Sequence, residues 1–189
     1  MLTVIMPSFH SASLVEKRIT EVDQNIPIII IENSKNISFK SRVETKFKNV
    51  KVIIPEENLG WGKAINLGIK QSTTQFVFIT QPDVKLIDNC VNKLINCIKN
   101  FKDFVLIAPT YRDENQFKNY DTKIFSKESK NKKTFKILEK YILKEVDWID
   151  SSVIVNKGNV KNLKIMDENF FLYFETMDMC LNFKRQNKK

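Results

Sequence analysis

The residues best suited to chemistry sit just past short apolar runs. Gln81-Pro82-Asp83 follows the run Phe76 to Ile79. A carboxylate there can hold a divalent cation that bridges a diphosphate. Pro-Asp is equally ordinary turn chemistry. Glu32-Asn33-Ser34 follows a β-branched run and suits hydrogen bonds to a base or ribose, or an Asx-type turn. Three of the four glycines fall in Asn58-Leu59-Gly60-Trp61-Gly62-Lys63-Ala64-Ile65-Asn66-Leu67-Gly68. Glycine ahead of a helix lets backbone approach a ligand, and helix amides favour an anion. Lys63 adds a full charge. Packing alone also explains glycine at a helix start. The pattern is neither a dinucleotide fingerprint nor a Walker motif. Glu175 and Asp178 stand three apart, on one helix face, where a carboxylate can act as general base or stabilise a helix N-terminus. His10, the one histidine, follows the first apolar run.

Alternating strands and helices must position these groups. Strands are expected at Leu2 to Met6, Ile26 to Ile31, Val50 to Ile54, Phe76 to Ile79 and Phe104 to Ala108. Helices are expected from Ser13, with Glu16 completing a capping box, over Trp61 to Lys70, over Leu86 to Ile98, and from Glu175. This order implies an α/β fold whose mainly parallel sheet is covered by helices on both faces. Such sheets bind ligands at the carboxyl ends of their strands. The groups after each strand are therefore the informative ones. The stretch from Tyr111 to Lys140 is polar and Lys-rich. It reads as a long excursion with a short helix near Phe135 to Tyr141.

The chain has 189 residues, 42% hydrophobic, which suits one domain with a real core. Its net charge is +9, mostly from scattered Lys, with Arg only at Arg18, Arg42, Arg112 and Arg185. That pattern argues against nucleic acid, which favours Arg forks. It suits a solvated basic surface or an anionic membrane face. Cys90, Cys97 and Cys180 form no metal-ligand spacing and read as buried free thiols in a reducing compartment. No membrane span or signal peptide is expected, which places the chain in the cytoplasm.

Five blocks in order resemble the nucleotide-sugar glycosyltransferases of family 2, which have the GT-A fold, and most closely the rhamnosyltransferase-like branch. They are Val4-Ile5-Met6-Pro7-Ser8-Phe9-His10, Ile30 to Ser34, Asn58 to Ile69, Gln81-Pro82-Asp83-Val84, and Asp167 to Glu175. The resemblance implies one GT-A domain over 1–189, with 1–110 the nucleotide-binding half and 111–189 the acceptor side. Pro7, Ser8, His10, Glu32, Asn33, Asn58, Gly60, Lys63, Asn66 and Gln81 would line the donor pocket. Asp83 would contact the diphosphate through Mg²⁺ or Mn²⁺. Glu175 or Asp178 would act as base in an inverting transfer from a UDP- or dTDP-sugar to a glycan or lipid-linked acceptor. That activity implies surface polysaccharide synthesis at the inner membrane face.

Two departures favour a second reading. The family's usual base position holds Thr176, and the following strand and metal-binding histidine are absent before Lys189. A truncated or catalytically impaired nucleotide-sugar-binding module is the alternative.

Overall fold

The computed structural model describes residues 2–113, 116–118, 135–138, 141–150 and 152–188. Its centre is a six-stranded sheet in the order β3-β2-β1-β4-β10-β5. The strands are β1 (Leu2–Ser8), β2 (Ile28–Glu32), β3 (Val50–Ile53), β4 (Phe76–Ile79), β5 (Leu106–Ile107) and β10 (Val153–Asn156). The first four are mutually parallel, and β10 runs antiparallel between β4 and β5. The expected α/β architecture with a mainly parallel sheet is thus observed.

The apolar runs are continuous because both sheet faces are covered. Val4, Met6, Ile28, Ile30 and Phe78 face one core, which also holds Val15, Phe39, Val43 and Leu94. Those four come from α1 (Ala12–Ile19), α2 (Ile37–Lys46) and α4 (Cys90–Asn100). Ile5, Val77, Ile79, Val153 and Val155 face the other core, with Ile65, Ile69, Met179 and Phe183. These come from α3 (Gly60–Gln71) and α5 (Glu175–Arg185). Gly68 lets α3 lie close to β1: a Cβ there would sit 2.5 Å from the Ile5 side chain.

Several elements differ from the sequence reading. The expected helix near Phe135 to Tyr141 is a hairpin, β8 (Phe135–Leu138) with β9 (Tyr141–Lys144). Phe135 and Ile137 alternate with Lys136, a period of two that suits a strand. A second hairpin pairs β6 (Tyr111–Asp113) with β7 (Gln116–Lys118). The rest of that excursion, residues 114–115, 119–134 and 139–140, lies outside the described residues.

Helix α2 was not anticipated, because only Phe39 and Val43 are buried on it. Its start is nonetheless set by Asn36, whose Oδ1 accepts from the Phe39 amide at 2.9 Å. Helix α4 starts at Cys90 rather than Leu86, since Asp88 and Asn89 have left-handed φ of 53° and 58°. The Ser13–Glu16 capping box does not form. Helix α1 begins before Ser13, and Glu16 instead pairs with Arg42 at 2.7 Å.

Candidate functional site

In this strand order β1 connects outward to β2, while β4 lies on its other side. The crevice where the connections diverge is where open α/β sheets take ligands. Ser8 ends β1 and Glu32 ends β2, and the two are in register. Both are buried, at 2% and 1% exposure. Glu32 Oε1 accepts the Ser34 amide at 2.8 Å and also the Ser34 hydroxyl. Among the described residues the other oxygen, Oε2, has no partner, nor has Ser8 Oγ. Two unpaired buried polar atoms on neighbouring strands cost stability unless something hydrogen-bonds to them. Pro7 is buried in the strand, while His10 lies in the open with φ of 52°, its ring edge-on to Phe9 at 4.3 Å.

Asp83 sits in the turn after β4, closed by the Val84 amide donating to the Gln81 carbonyl at 3.2 Å. It is exposed, and no side chain among the described residues pairs with it. The same residue therefore carries the turn and presents a free carboxylate at the carboxyl edge. Among the described residues no group of three or more His, Cys, Asp or Glu converges as a metal cage. One carboxylate suits an ion such as Mg²⁺, which takes few protein ligands and fills its shell with phosphate oxygens and water.

The glycine-rich stretch is built from the inside. Asn33 Nδ2 donates to the Gly60 carbonyl at 3.2 Å, and Asn33 Oδ1 accepts from the Leu59 amide at 3.3 Å. Asn58 Oδ1 accepts from the Gly60 amide at 3.0 Å. Gly60 has φ of 71°, and a Cβ on it would run into the Phe171 carbonyl oxygen. That carbonyl accepts the Trp61 amide at 3.1 Å. Asn66 donates to the Met166 carbonyl at 2.9 Å and to Glu168 at 3.1 Å, and accepts the Met166 amide at 3.1 Å. Asn33 and Asn66 thus spend their side chains on holding α3 to its neighbours, and Asn58 on the turn that opens it. Lys63 and Asn66 line an open groove of about 640 Å³ with Leu67, Lys70, Leu163 and Lys164. None of Ser8, Glu32, Gln81 and Asp83 lines that groove.

Glu175 opens α5 and is 4% exposed, with Oε1 unpaired. Burial pushes its carboxyl above the ordinary value, partly offset by a hydrogen bond from its own amide. Its side chain lies beside Gly62, where a Cβ would be 3.5 Å from Glu175 Cγ. Asp178 is half-exposed and accepts the Asn182 amide group at 2.8 Å. Thr176 is buried at 9%. Just before α5, Phe171, Leu172, Tyr173 and Phe174 are all exposed, and Tyr173 and Phe174 have left-handed φ of 73° and 67°.

Asp147 escaped the sequence reading. Its Oδ2 is buried without a partner, and its Oδ1 pairs with Lys184. It precedes β10, whose antiparallel direction puts the residues before Val153 at the carboxyl end of β4, where Val153 pairs with Ile79. Nothing in the local pattern signals that reversal.

A mainly parallel sheet with a switch point and orphaned polar atoms at its carboxyl edge define an open α/β class of protein, whose ligands are taken at that edge. Residues 3–157 match the family described as Glycosyl transferase family 2, and the chain belongs to that family. Among solved structures it is similar to S. aureus TarS 1-349 at 15% identity, TM-score 0.69, over 96% of this chain and 55% of that one. The same S. aureus protein in complex with UDP gives a TM-score of 0.68 at 15% identity, over 95% and 54%. The mannosyltransferase PcManGT from Pyrobaculum calidifontis, in complex with GDP-Man and Mn2+, gives 0.51 at 20% identity, over 59% and 35%. This chain therefore spans about half or less of the solved chains it matches. A search of curated proteins finds no match.

Proposed function

We propose that this chain binds the nucleoside diphosphate of a UDP- or dTDP-sugar and is the donor-binding part of an inverting glycosyltransferase. The observation that carries the reading is the pair of unpartnered buried atoms, Ser8 Oγ and Glu32 Oε2, in register at the switch point. Glu32 Oε2 accepts and Ser8 Oγ can donate or accept, so together they suit a base N–H or a ribose hydroxyl. Asp83 faces the diphosphate end of the crevice and would hold Mg²⁺ or Mn²⁺. That ion supplies charge neutralisation of the leaving diphosphate. The UDP complex of the S. aureus relative and the GDP-Man and Mn2+ complex of the archaeal one support this assignment. Residues 1–110 form the donor half and 111–189 the acceptor side. The acceptor is a glycan or lipid-linked hydroxyl in surface polysaccharide synthesis, at the cytoplasmic face of a membrane. No helix among the described residues is long and apolar enough to cross one.

Glu175 is the better candidate base than Asp178. Its raised proton affinity and unspent oxygen suit proton capture, whereas Asp178 is occupied by Asn182. The test is calorimetric titration of UDP with Mn²⁺ into the full chain. Saturable binding is expected, weakened roughly tenfold by Ser8→Ala and by Glu32→Gln. Absence of UDP and dTDP binding, with or without the ion, would sink the reading.

A second reading is a binding module without turnover, and Thr176 at the family's base position favours it. UDP-sugar hydrolysis or transfer by the unaltered chain excludes that reading. Turnover appearing only in Thr176→Asp establishes it.

A further inference from the structure

The loop that carries Asp83 is tied to the helix before β2. After β4 the chain runs from Thr80 to Asn89 before α4 begins. Its near end is fixed, since the Thr80 amide donates to the Ile5 carbonyl at 3.0 Å. Its far end closes through left-handed Asp88 and Asn89. Between them the Leu86 amide donates to Glu21 Oε2 at 2.8 Å. Glu21 lies just past α1, and its other oxygen is held by Arg18 at 3.0 Å. Arg18 is 7% exposed and Glu21 has 20% side-chain exposure, so water screens this pair less than a surface one. The Leu86 side chain is buried in the core that also contains Val15 and Ile19 of α1.

We infer that Glu21 is a positioning residue: clamped by Arg18, it fixes the Leu86 amide and thereby sets the direction in which the Gln81–Asp83 turn presents its carboxylate. The physical reason is the length and shape of the loop. Asp83 is exposed and its side chain pairs with no other among the described residues, so its place depends on the anchors to either side. Thr80 supplies one, three residues before it. Leu86 supplies the other, three residues after, and its backbone is held by a charge-assisted hydrogen bond, stronger than a neutral one. An acid that must share an ion with a diphosphate needs such a fixed backbone, because a displacement of about 1 Å is enough to spoil coordination. The sequence offered no hint of this. Glu21 carries no motif, Arg18 is one of four scattered arginines, and Leu86 reads as part of the next helix.

The inference rests on Asp83 as the metal and diphosphate contact. Its test compares the unaltered chain with Glu21→Ala, Glu21→Gln and Asp83→Ala, measuring UDP affinity with and without Mn²⁺ and the exchange rate of the Leu86 amide. Glu21→Ala should leave metal-free UDP affinity unchanged, reduce the gain that Mn²⁺ confers roughly tenfold, and speed Leu86 exchange. Glu21→Gln keeps an oxygen that can accept the same bond and should restore most of the gain. An unchanged Mn²⁺ gain or unchanged Leu86 exchange in Glu21→Ala overturns the clamp. So does an equal loss of metal-free binding, which marks a purely structural role. If Asp83→Ala keeps the Mn²⁺ gain, the functional reading of Asp83 fails and the clamp's purpose falls with it. If Asp83→Ala loses the gain and Glu21→Ala does not, the clamp alone fails. Should Glu21→Ala not fold, Arg18→Gln, which frees Glu21 without deleting it, must show a partial loss of the gain or the clamp is rejected.

Discussion

Glu175 is the buried carboxyl group proposed above as the base. Burial raises its proton affinity, so folding penalises the anion more than the neutral acid. Its ordinary value is 4.5. The stability it contributes is full below that value and is lost as pH rises through the higher folded value. Glu175→Gln keeps a neutral group at every pH. Its melting temperature should therefore exceed that of the parent at neutral pH and converge with it in acid. Thermal scans across pH check this, and parallel curves would refute a buried, strained acid. If Glu175 is also the base, the same variant should lose roughly 10²–10⁴-fold in transfer while UDP affinity holds. The cysteines need no such role. All three are free, and burial pushes the Cys180 thiol up to about 11. Alkylation of Cys180 in the folded chain at neutral pH should be far slower than in urea, because the thiolate is both scarce and shielded.

At the scale of elements, the start of α3 is the junction where the end of β2 meets the stretch before α5. Asn33 reaches it from β2, Phe171 from the stretch before α5, and Asn66 ties the next turn to Met166. Gly60→Ala forces a side chain into a left-handed backbone and against the Phe171 carbonyl. It should cost about 1–3 kcal/mol or more in urea unfolding. Asn66→Ala leaves the buried Met166 amide and carbonyl unpaired, a loss of about 1–3 kcal/mol per group at the upper limit. If Asn66 serves position rather than contact, that loss of stability should exceed any loss of UDP affinity when both are measured. The concentration of glycine at the start of α3 was legible in sequence. Its partners were not, because Phe171 and Met166 lie about a hundred residues away and only folding brings them to α3.

For the whole molecule, ligand binding must appear as stability. UDP with Mg²⁺ at a hundred times its dissociation constant should add about 2.7 kcal/mol. For a chain of this size that is a rise in melting temperature of roughly 5–10 °C. Removal of the ion by a chelator should erase part of it, and no rise with any nucleotide would contradict donor binding. The sequence by itself determined the class of fold, because continuous β-branched runs alternating with helical periods require a sheet buried on both faces. It also put Ser8, Glu32 and Asp83 at the carboxyl ends of strands, since each follows such a run. Tertiary structure decided the rest. It reversed β10, making the residues before Val153 part of the carboxyl edge. It turned the expected helix near Phe135 into a hairpin. It engaged Asn33, Asn58 and Asn66 in holding the fold, and it left Ser8 Oγ, Glu32 Oε2 and Glu175 Oε1 without partners. Residue type and spacing announce which groups can bond. Which of them have already bonded is settled by neighbours distant in the chain, so the free ones could be found only after folding.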